Sequence, residues 1–261
     1  MKKLFVLSMI LAILSLSVPA SAIMTGIDGH NAYIYPVVRV TTERGGGSGT
    51  VIYSEPSDKP GEFKTYILTN HHVVASAISI SEEWDSAQGK NIDVERKQVV
   101  NVEIFKYRDI STPTGQLRVE ADIVIYNKTE DMALLKLRFI EQIKHVAKTP
   151  ERKDAEKFLV LDKTIAVGCS LLYPPLPTVG EVTRINMNIR SLPYHMSSSS
   201  IIYGNSGGAM FLEDGTLIGI PSMVAAAGWG IPITHMGLFI PISRVYDWFN
   251  DANYEFLFEK K

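Results

Sequence analysis

The sequence has few features that would stabilise a fold other than packing. Cys169 is the only cysteine, so no disulfide can form within the chain and no thiolate cluster can bind zinc. Neither sign of charge dominates: 26 Lys and Arg against 28 Asp and Glu give a net charge of −2, which excludes a broad basic face for nucleic acid. Heptad repeats are also missing, which argues against coiled coils and helical bundles. A chain of 261 residues with 46% apolar residues must therefore rely on its hydrophobic core.

The longest apolar stretch stands at the start of the chain. Lys2 and Lys3 precede a mainly apolar stretch over residues 4–18, and small residues follow at 20–22. This order is typical of a secretory signal peptide, so we expect residues 1–22 to be removed by cleavage after Ala22. A retained membrane anchor is the alternative, but the stretch is shorter than the roughly 20 residues that span a bilayer. We therefore expect an exported bacterial protein, periplasmic or extracellular, with no stable membrane span after cleavage.

The rest of the sequence predicts short strands joined by turns. Runs rich in β-branched and aromatic residues alternate with Gly, Pro, Asn and Asp. A dozen such runs favour an all-β sandwich or barrel. The predicted strands are residues 37–40, 50–53, 66–68, 100–107, 119–126, 132–138, 158–161, 165–168, 180–189, 209–212, 216–224 and 238–240.

Two segments do not fit the strand pattern, and they suggest the domain organisation. Residues 141–157 are charged and lack strand periodicity, as expected of a linker between an N-terminal half at 23–140 and a C-terminal half at 158–241. In the final segment, 242–261, apolar residues recur at helical spacing, which predicts a closing helix followed by a short tail.

Three short motifs contain the residue types of nucleophilic catalysis. Residues 69–74 read TNHHVV, residues 131–135 read DMALL, and residues 204–208 read GNSGG. Each alone is weak, because a glycine-rich serine turn, a surface histidine and a solvated acid are all common. Together they supply a hydroxyl nucleophile, an imidazole base and a carboxylate to orient it. Their order in the chain, His then Asp then Ser, is that of chymotrypsin.

With these motifs the sequence resembles the trypsin-like serine peptidases, and within them the bacterial high-temperature-requirement branch. The resemblance runs from about Val37 to Trp248. It implies an all-β, chymotrypsin-like fold of two six-stranded antiparallel β-barrels with a C-terminal α-helix. It also implies that His72 is the general base, that Asp131 orients His72, and that Ser206 attacks the scissile carbonyl.

The resemblance extends to the residues around the nucleophile. Gly204, Asn205 and Ser206 would form the oxyanion hole, with the backbone N–H groups of Gly204 and Ser206 as donors. Asn205 stands where trypsin-like zymogens carry the aspartate that pairs with a new amino terminus, so that activation is not expected. Ser222 would lie beside the substrate; it either donates a hydrogen bond to Asp131 or is an ordinary serine of an edge strand.

A specificity pocket for a small or medium aliphatic side chain is implied as well. Its expected lining is Ile201, five residues before the nucleophile, together with Met223, Val224 and Leu238. None of these side chains is charged, whereas cleavage after Lys or Arg would need a buried acid. The glycine-containing segment 228–237, with Trp229 and His235, is expected to be a loop that either lies over the pocket rim or faces solvent.

The expected activity is therefore hydrolysis of protein or peptide substrates, without metal or organic cofactor and without a nucleic-acid partner. Whether copies of the chain assemble is left open, as is the purpose of the insertion at 75–118. The chain ends soon after Trp248, and no PDZ module is expected. One alternative is the nucleophile elbow of an α/β-hydrolase at residues 204–208, but strands rather than helices are predicted after it. The other is a catalytically silent binding protein with the same fold.

Overall fold

The computed structural model describes residues 22–258, so the predicted signal peptide lies outside the described residues except for Ala22. Helices are few. A short helix α1 (Gly26–Gly29) continues into one π-helical turn, a second single turn is α2 (His71–Val74), and α3 (Ile242–Asp251) is the longest. Within residues 22–258, no helix is long and apolar enough to cross a bilayer.

Fourteen strands account for most of the described chain. The first eight are β1 (Val37–Thr42), β2 (Gly45–Pro56), β3 (Phe63–Thr69), β4 (Ile78–Asp85), β5 (Lys90–Lys97), β6 (Val100–Arg108), β7 (Thr112–Asn127) and β8 (Met132–Leu137). The other six are β9 (Lys163–Gly168), β10 (Leu176–Ile189), β11 (Leu192–Ser197), β12 (Ala209–Leu212), β13 (Leu217–Ala227) and β14 (Ile231–Pro241).

These strands form two closed antiparallel barrels of six strands each. The first has the order β1-β2-β3-β8-β7-β6 and the second the order β10-β11-β14-β13-β12-β9. Among residues 22–258, the remaining strands, β4 and β5, pair only with each other as a two-stranded ribbon. The all-β fold of two barrels with a C-terminal helix, predicted from the sequence, is confirmed.

The core consists of three apolar clusters, because several strands bury both faces. On β3, Ile67 points into the first barrel, whereas Leu68 joins a cluster that lies between the two barrels. On β8, Leu135 and Leu134 divide in the same way, as expected when successive side chains point to opposite faces. The third cluster fills the second barrel around Phe239. The ends of β3 and β8 are thus fixed at the junction between the barrels.

The segment between the barrels packs along both of them. The amide of Ala147 donates to the Val51 carbonyl of the first barrel at 2.8 Å, and Lys148 forms a parallel bridge with Thr216 of the second. Near its end, Arg152–Asp154 forms a single 3-10 turn. Residues 141–157, predicted as a linker, therefore contribute hydrogen bonds to both halves.

Several local predictions were wrong. Residues 158–161 form a turn rather than a strand, with Leu159 and Leu161 exposed. The expected loop at 228–237 is mostly strand, because β13 and β14 continue as a hairpin whose tip is the turn Gly228–Gly230. The strands β4, β5 and β11 were not predicted.

Candidate active site

The histidine and the aspartate of the predicted triad lie together at one edge of the first barrel. His72 is in α2, directly after β3, and Asp131 directly precedes β8; Thr69 pairs with Ala133, so these two ends are neighbours. His72 Nδ1 is 2.9 Å from Asp131 Oδ2, and the His72 amide donates to Asp131 Oδ1 at 3.0 Å. Asn70 Nδ2 donates to the Asp131 carbonyl at 2.8 Å. The carboxylate is thus held against the imidazole by both its side-chain and backbone atoms.

Asp131 is ionised at neutral pH despite its partial burial. Burial alone would raise the pKa of its carboxyl, but hydrogen bonds from His72 and Ser222 and the charge of His72 outweigh burial and lower the pKa. Ser222 Oγ donates to Asp131 Oδ2 at 2.7 Å. This is the hydrogen bond that the resemblance implied, rather than the alternative of a plain edge-strand serine.

Ser206 lies in the second barrel, on the turn before β12. Its hydroxyl donates to the Ser222 carbonyl at 3.3 Å, and within residues 22–258 no hydrogen bond joins it to His72. Ser222 therefore contacts both Asp131, through its hydroxyl, and Ser206, through its carbonyl. Catalytic hydrogen bonds are often long or misaligned without substrate, so this arrangement does not by itself exclude a pairing of Ser206 with His72. A strand, β12, follows Ser206, which excludes the strand-to-helix elbow of an α/β-hydrolase.

The backbone amides of Gly204 and Ser206, the predicted oxyanion donors, belong to the turn before β12. In the described part of the chain, neither the Gly204 nor the Ser206 N–H donates to another group. Gly204 has φ +96°, and a Cβ there would lie 2.3 Å from the Cys169 carbonyl oxygen, so only glycine fits. The inclusion of Asn205 in the expected oxyanion hole needs correction, because its amide already donates to the Ile202 carbonyl at 3.0 Å. Its buried side chain instead accepts hydrogen bonds from Ser170 and Ile202.

Ser48 of β2, in the opposite barrel, forms hydrogen bonds with the turn that carries Ser206. Its amide donates to the Ser206 carbonyl at 2.8 Å, and its hydroxyl donates to the Gly204 carbonyl at 2.6 Å. The same hydroxyl accepts from the Cys169 amide at 2.7 Å. Sequence reasoning missed Ser48 because its glycine-rich surroundings read as a loop before a strand; no catalytic motif marked it.

The expected pocket residues divide between the two faces of the β13–β14 ladder. Val224 pairs with Gly237, and the Ile201 side chain lies against Gly237, where a Cβ would be 2.3 Å from its Cδ1. Met223 pairs with Leu238, and these neighbours point to the opposite face, into the cluster between the barrels. Ile201, Val224 and Gly237 therefore share a wall, and the assignment of Leu238 and Met223 to the same wall needs correction.

The structure also shows the surroundings of four other residues that the sequence singled out: His71, Cys169, Trp229 and His235. His71 stacks on Tyr126 with ring centroids 5.1 Å apart, and burial lowers its pKa. Cys169 is fully buried, and burial raises the pKa of its thiol to about 12, as expected of an inert thiol. Trp229 is fully exposed at the tip of the β13–β14 hairpin, and His235 is exposed on β14.

Comparison with known proteins finds relatives of this chain among serine proteases. The chain is 27% identical over 188 residues to the periplasmic pH-dependent serine endoprotease DegQ of Escherichia coli (strain K12), covering 70% of this chain and 32% of DegQ. It is 24% identical over 191 residues to the magnetosome formation protease MamE of Paramagnetospirillum magneticum, covering 67% of this chain and 22% of MamE. The chain thus spans a third or less of the length of these curated relatives.

Solved structures give the same picture for the fold. The HtrA-type protease AlgW with tripeptide superposes with a TM-score of 0.62 at 21% identity, covering 88% of this chain and 64% of AlgW. The profile of the family described as "Trypsin-like peptidase domain" matches residues 47–220, which is more than half of the sequence and contains the His72, Asp131 and Ser206 motifs. The chain therefore belongs to the trypsin-like peptidase family, as its resemblance to that family predicted.

Proposed function

We propose that this protein is a serine endopeptidase that uses Ser206 as nucleophile, His72 as general base and Asp131 as the carboxylate that orients His72. The single observation that best supports this is the convergence of both barrels on Ser222, which contacts Asp131 at 2.7 Å and Ser206 at 3.3 Å. The free amides of Gly204 and Ser206 beside the nucleophile add the second requirement of acyl transfer.

The reaction follows from these positions. His72 Nε2 takes the Ser206 hydroxyl proton as Oγ bonds to the substrate carbonyl carbon, and the Gly204 and Ser206 amides stabilise the resulting oxyanion. His72 then gives that proton to the leaving amine, the C–N bond breaks, and an acyl-enzyme remains. A water molecule repeats the sequence, with His72 as base and then acid, to release the acid and regenerate Ser206. Asp131 stays ionised throughout and stabilises the imidazolium.

An extended peptide is the substrate class that suits the cleft. Beyond Gly219, β13 has β14 on one side, whereas its register with β12 covers only Leu217 and Gly219. In the part of the chain that the structure describes, no strand pairs with the other edge of residues 222–227, so a peptide strand can add there. The wall formed by Ile201, Val224 and Gly237 is uncharged, which favours a small or medium aliphatic side chain before the scissile bond.

We also propose that the protein is exported. The support is in the sequence: the basic, apolar and small-residue segments of positions 1–22 follow the order of a secretory signal. The relative DegQ is described as periplasmic, in agreement with this proposal. Amino-terminal sequencing of the protein from the expressing cell tests it, with a mature terminus at Ile23 as the expected result.

Labelling with a fluorophosphonate tests the proposed activity. The mature protein is expected to form a covalent adduct at Ser206 and to cleave unfolded casein between pH 6 and 9, whereas Ser206→Ala should do neither. His72→Ala should fold and lose labelling, because the hydroxyl then lacks its base. Ser200→Ala, an exposed serine six residues earlier, is the matched control and should label normally. A folded wild-type protein that neither labels nor cleaves would instead support a catalytically silent binding protein.

A further inference from the structure

The orientation of one oxyanion donor depends on a neighbouring segment. The Gly204 N–H belongs to the peptide group whose carbonyl is that of Tyr203, and this carbonyl accepts a hydrogen bond from the Leu171 amide at 2.7 Å. Because a trans peptide group is planar, with its N–H and C=O pointing in opposite directions, this hydrogen bond aims the Gly204 N–H away from Leu171. The turn Ser170–Leu172 between β9 and β10 thus sets the direction of the donor.

That turn has an unfavourable backbone conformation. Leu171 has φ +52° and Leu172 has φ +63°, a left-handed conformation that costs an ordinary L-residue roughly 1–2 kcal/mol. Both residues are substantially exposed, by 60% and 38%, so burial of their apolar surface does not offset this cost. Other contacts must hold the turn in place.

Arg39 of the first barrel provides such a contact. Its Nη1 donates to the Leu172 carbonyl, and its Nη2 donates to Gln116 at 3.2 Å. The guanidinium also forms an ion pair with Glu103 and lies 5.3 Å from the centre of the Phe105 ring. Only 18% of the Arg39 side chain is exposed, and 1% of that of Glu103. A planar guanidinium held on several sides is a rigid donor.

We propose that Arg39 is a positioning residue for the oxyanion hole: by fixing the Leu172 carbonyl it holds the turn whose Leu171 amide orients the Tyr203–Gly204 peptide group. The proposal rests on the proposed peptidase function. Arg39 belongs to the first barrel and to none of the three motifs, yet it would help the second barrel to stabilise the transition state.

The chain offers a matched pair of variants for the test. Arg118 also forms an ion pair with Glu103, through two hydrogen bonds, and none of its hydrogen bonds within the described residues reaches the turn Ser170–Leu172. Arg39→Met and Arg118→Met therefore each remove one of the two arginines at Glu103, but only Arg39→Met releases Leu172. Arg39→Lys keeps the positive charge beside Glu103 and removes the planar fork.

The measurement is steady-state hydrolysis of a chromogenic peptide with an aliphatic residue before the cut bond. Arg39→Met should lower kcat by about 10- to 100-fold and leave KM nearly unchanged. This loss does not exceed that on removing an oxyanion donor outright, which is about 10²- to 10³-fold. Arg118→Met should keep both constants close to those of the wild type, and Arg39→Lys should fall between. Urea unfolding of each variant checks that the protein used in the assay is folded.

A pair of inhibitors separates positioning from a general loss of structure. A peptide aldehyde forms a tetrahedral adduct with the nucleophile and places its oxygen in the oxyanion hole, so its affinity should fall with kcat in Arg39→Met. The corresponding peptide alcohol, which only occupies the cleft, should bind as tightly as to the wild type. Equal kcat in Arg39→Met and Arg118→Met, or equal weakening of aldehyde and alcohol, would overturn the proposal. An inactive wild type would overturn the peptidase function itself, so the two failures are distinguishable.

Discussion

Ser48 illustrates how much a single buried hydroxyl contributes to the geometry of this site. It is fully buried and belongs to the first barrel, yet its side chain bonds the Gly204 carbonyl and the Cys169 amide of the second barrel. Thr69, two residues before His71, donates to the Ser48 carbonyl at 2.7 Å. One residue therefore connects the strand that precedes the histidines to the turn that carries Ser206.

Ser48→Ala should reduce both stability and turnover. The substitution leaves the Cys169 N–H and the Gly204 carbonyl without a partner, and each unsatisfied buried group costs about 1–3 kcal/mol. Because Gly204 is then held less firmly, kcat should also fall by about 10-fold, which is less than the loss of kcat on removing an oxyanion donor. Urea unfolding and peptide hydrolysis measure the two effects.

Ser54→Ala is the control for Ser48→Ala. Ser54 is also a buried serine of β2, and it bonds Thr65 at 2.8 Å and the Ile143 amide at 2.9 Å, but within the described residues its hydroxyl forms no hydrogen bond with residues 204–208. It should lose comparable stability and keep its kcat. If both variants lose turnover equally, Ser48 acts only through the stability of the barrel.

Ile201 is the side chain that should set the depth of the specificity pocket. Because it fills the space beside Gly237, Ile201→Ala should open the pocket and shift preference towards larger apolar residues before the cut bond. Truncating a buried isoleucine costs about 2–5 kcal/mol, so Ile218→Ala, in the same apolar cluster, controls for lost stability. Profiling with a peptide library should show the shift in Ile201→Ala only; identical profiles in the two variants would contradict the pocket assignment.

At the scale of elements, the sequence was most informative where a strand buries both faces. Residues 66–68 of β3 and 132–135 of β8 are continuously apolar, and each run divides its side chains between the first barrel and the cluster between the barrels. The motifs at the ends of these strands were recognised for the same reason, since they follow or precede an unmistakable apolar run. The positions of His72 and Asp131 at strand ends were therefore accessible without coordinates, whereas the two-barrel fold was implied by the family resemblance of the motifs.

Elements whose stability comes from elsewhere in the fold could not be predicted. The strands β4 and β5 are mostly exposed. Apolar and polar residues alternate along parts of both, but Ile80 and Trp84 do not reach the core. The segment 158–161 is apolar like a strand, but the barrel has no position for it, and Leu159 and Leu161 are exposed. The contacts of Ser48 and Arg39 with the nucleophile region join residues more than 100 positions apart, and no local pattern signals them.

The β4–β5 ribbon should be dispensable for peptide hydrolysis. Ile80 pairs directly with Glu95, so an Asn-Gly turn can replace residues 81–94 without moving the flanking strands. Glu95 is kept because it accepts a hydrogen bond from Tyr126, which stacks on His71. The shortened protein should melt within a few degrees of the full chain and retain its kcat for a small peptide. A large loss of kcat would show that the ribbon supports His71 and the adjoining His72.

For the whole molecule, the site exists only where the barrels meet. The first barrel supplies His72 and Asp131, and the second supplies Ser206 and Ser222. Beside Asp131, Glu130 forms an ion pair with Arg244 of α3, and the Arg244 guanidinium lies 5.0 Å from the centre of the Tyr194 ring. The closing helix thus joins the loop of the triad aspartate to the second barrel, and its attachment should matter for the stability of the entire assembly.

The attachment of α3 should make the protein sensitive to alkali. Tyr246 of α3 is buried and donates its hydroxyl hydrogen to the Pro150 carbonyl, and burial raises its pKa to about 12. An unfolded tyrosine has a pKa of about 10, so between these values the unfolded chain loses a proton that the folded protein keeps. Stability supplied by this group is complete below about pH 10 and is lost as the pH rises towards 12.

Tyr246→Phe tests this linkage, because it keeps the ring and removes the ionisable hydroxyl. Other buried groups, including Tyr107 and Cys169, also have raised pKa values, so the variant should still lose stability in alkali, but less steeply by the contribution of one proton. At neutral pH it should be less stable than the wild type by about 1 kcal/mol, the usual value of one hydrogen bond. Urea unfolding from pH 7 to 11 measures both effects. Parallel curves for the two proteins would mean that Tyr246 ionises equally in the folded and unfolded states, and that α3 is not buried against the Pro150 segment as the structure has it.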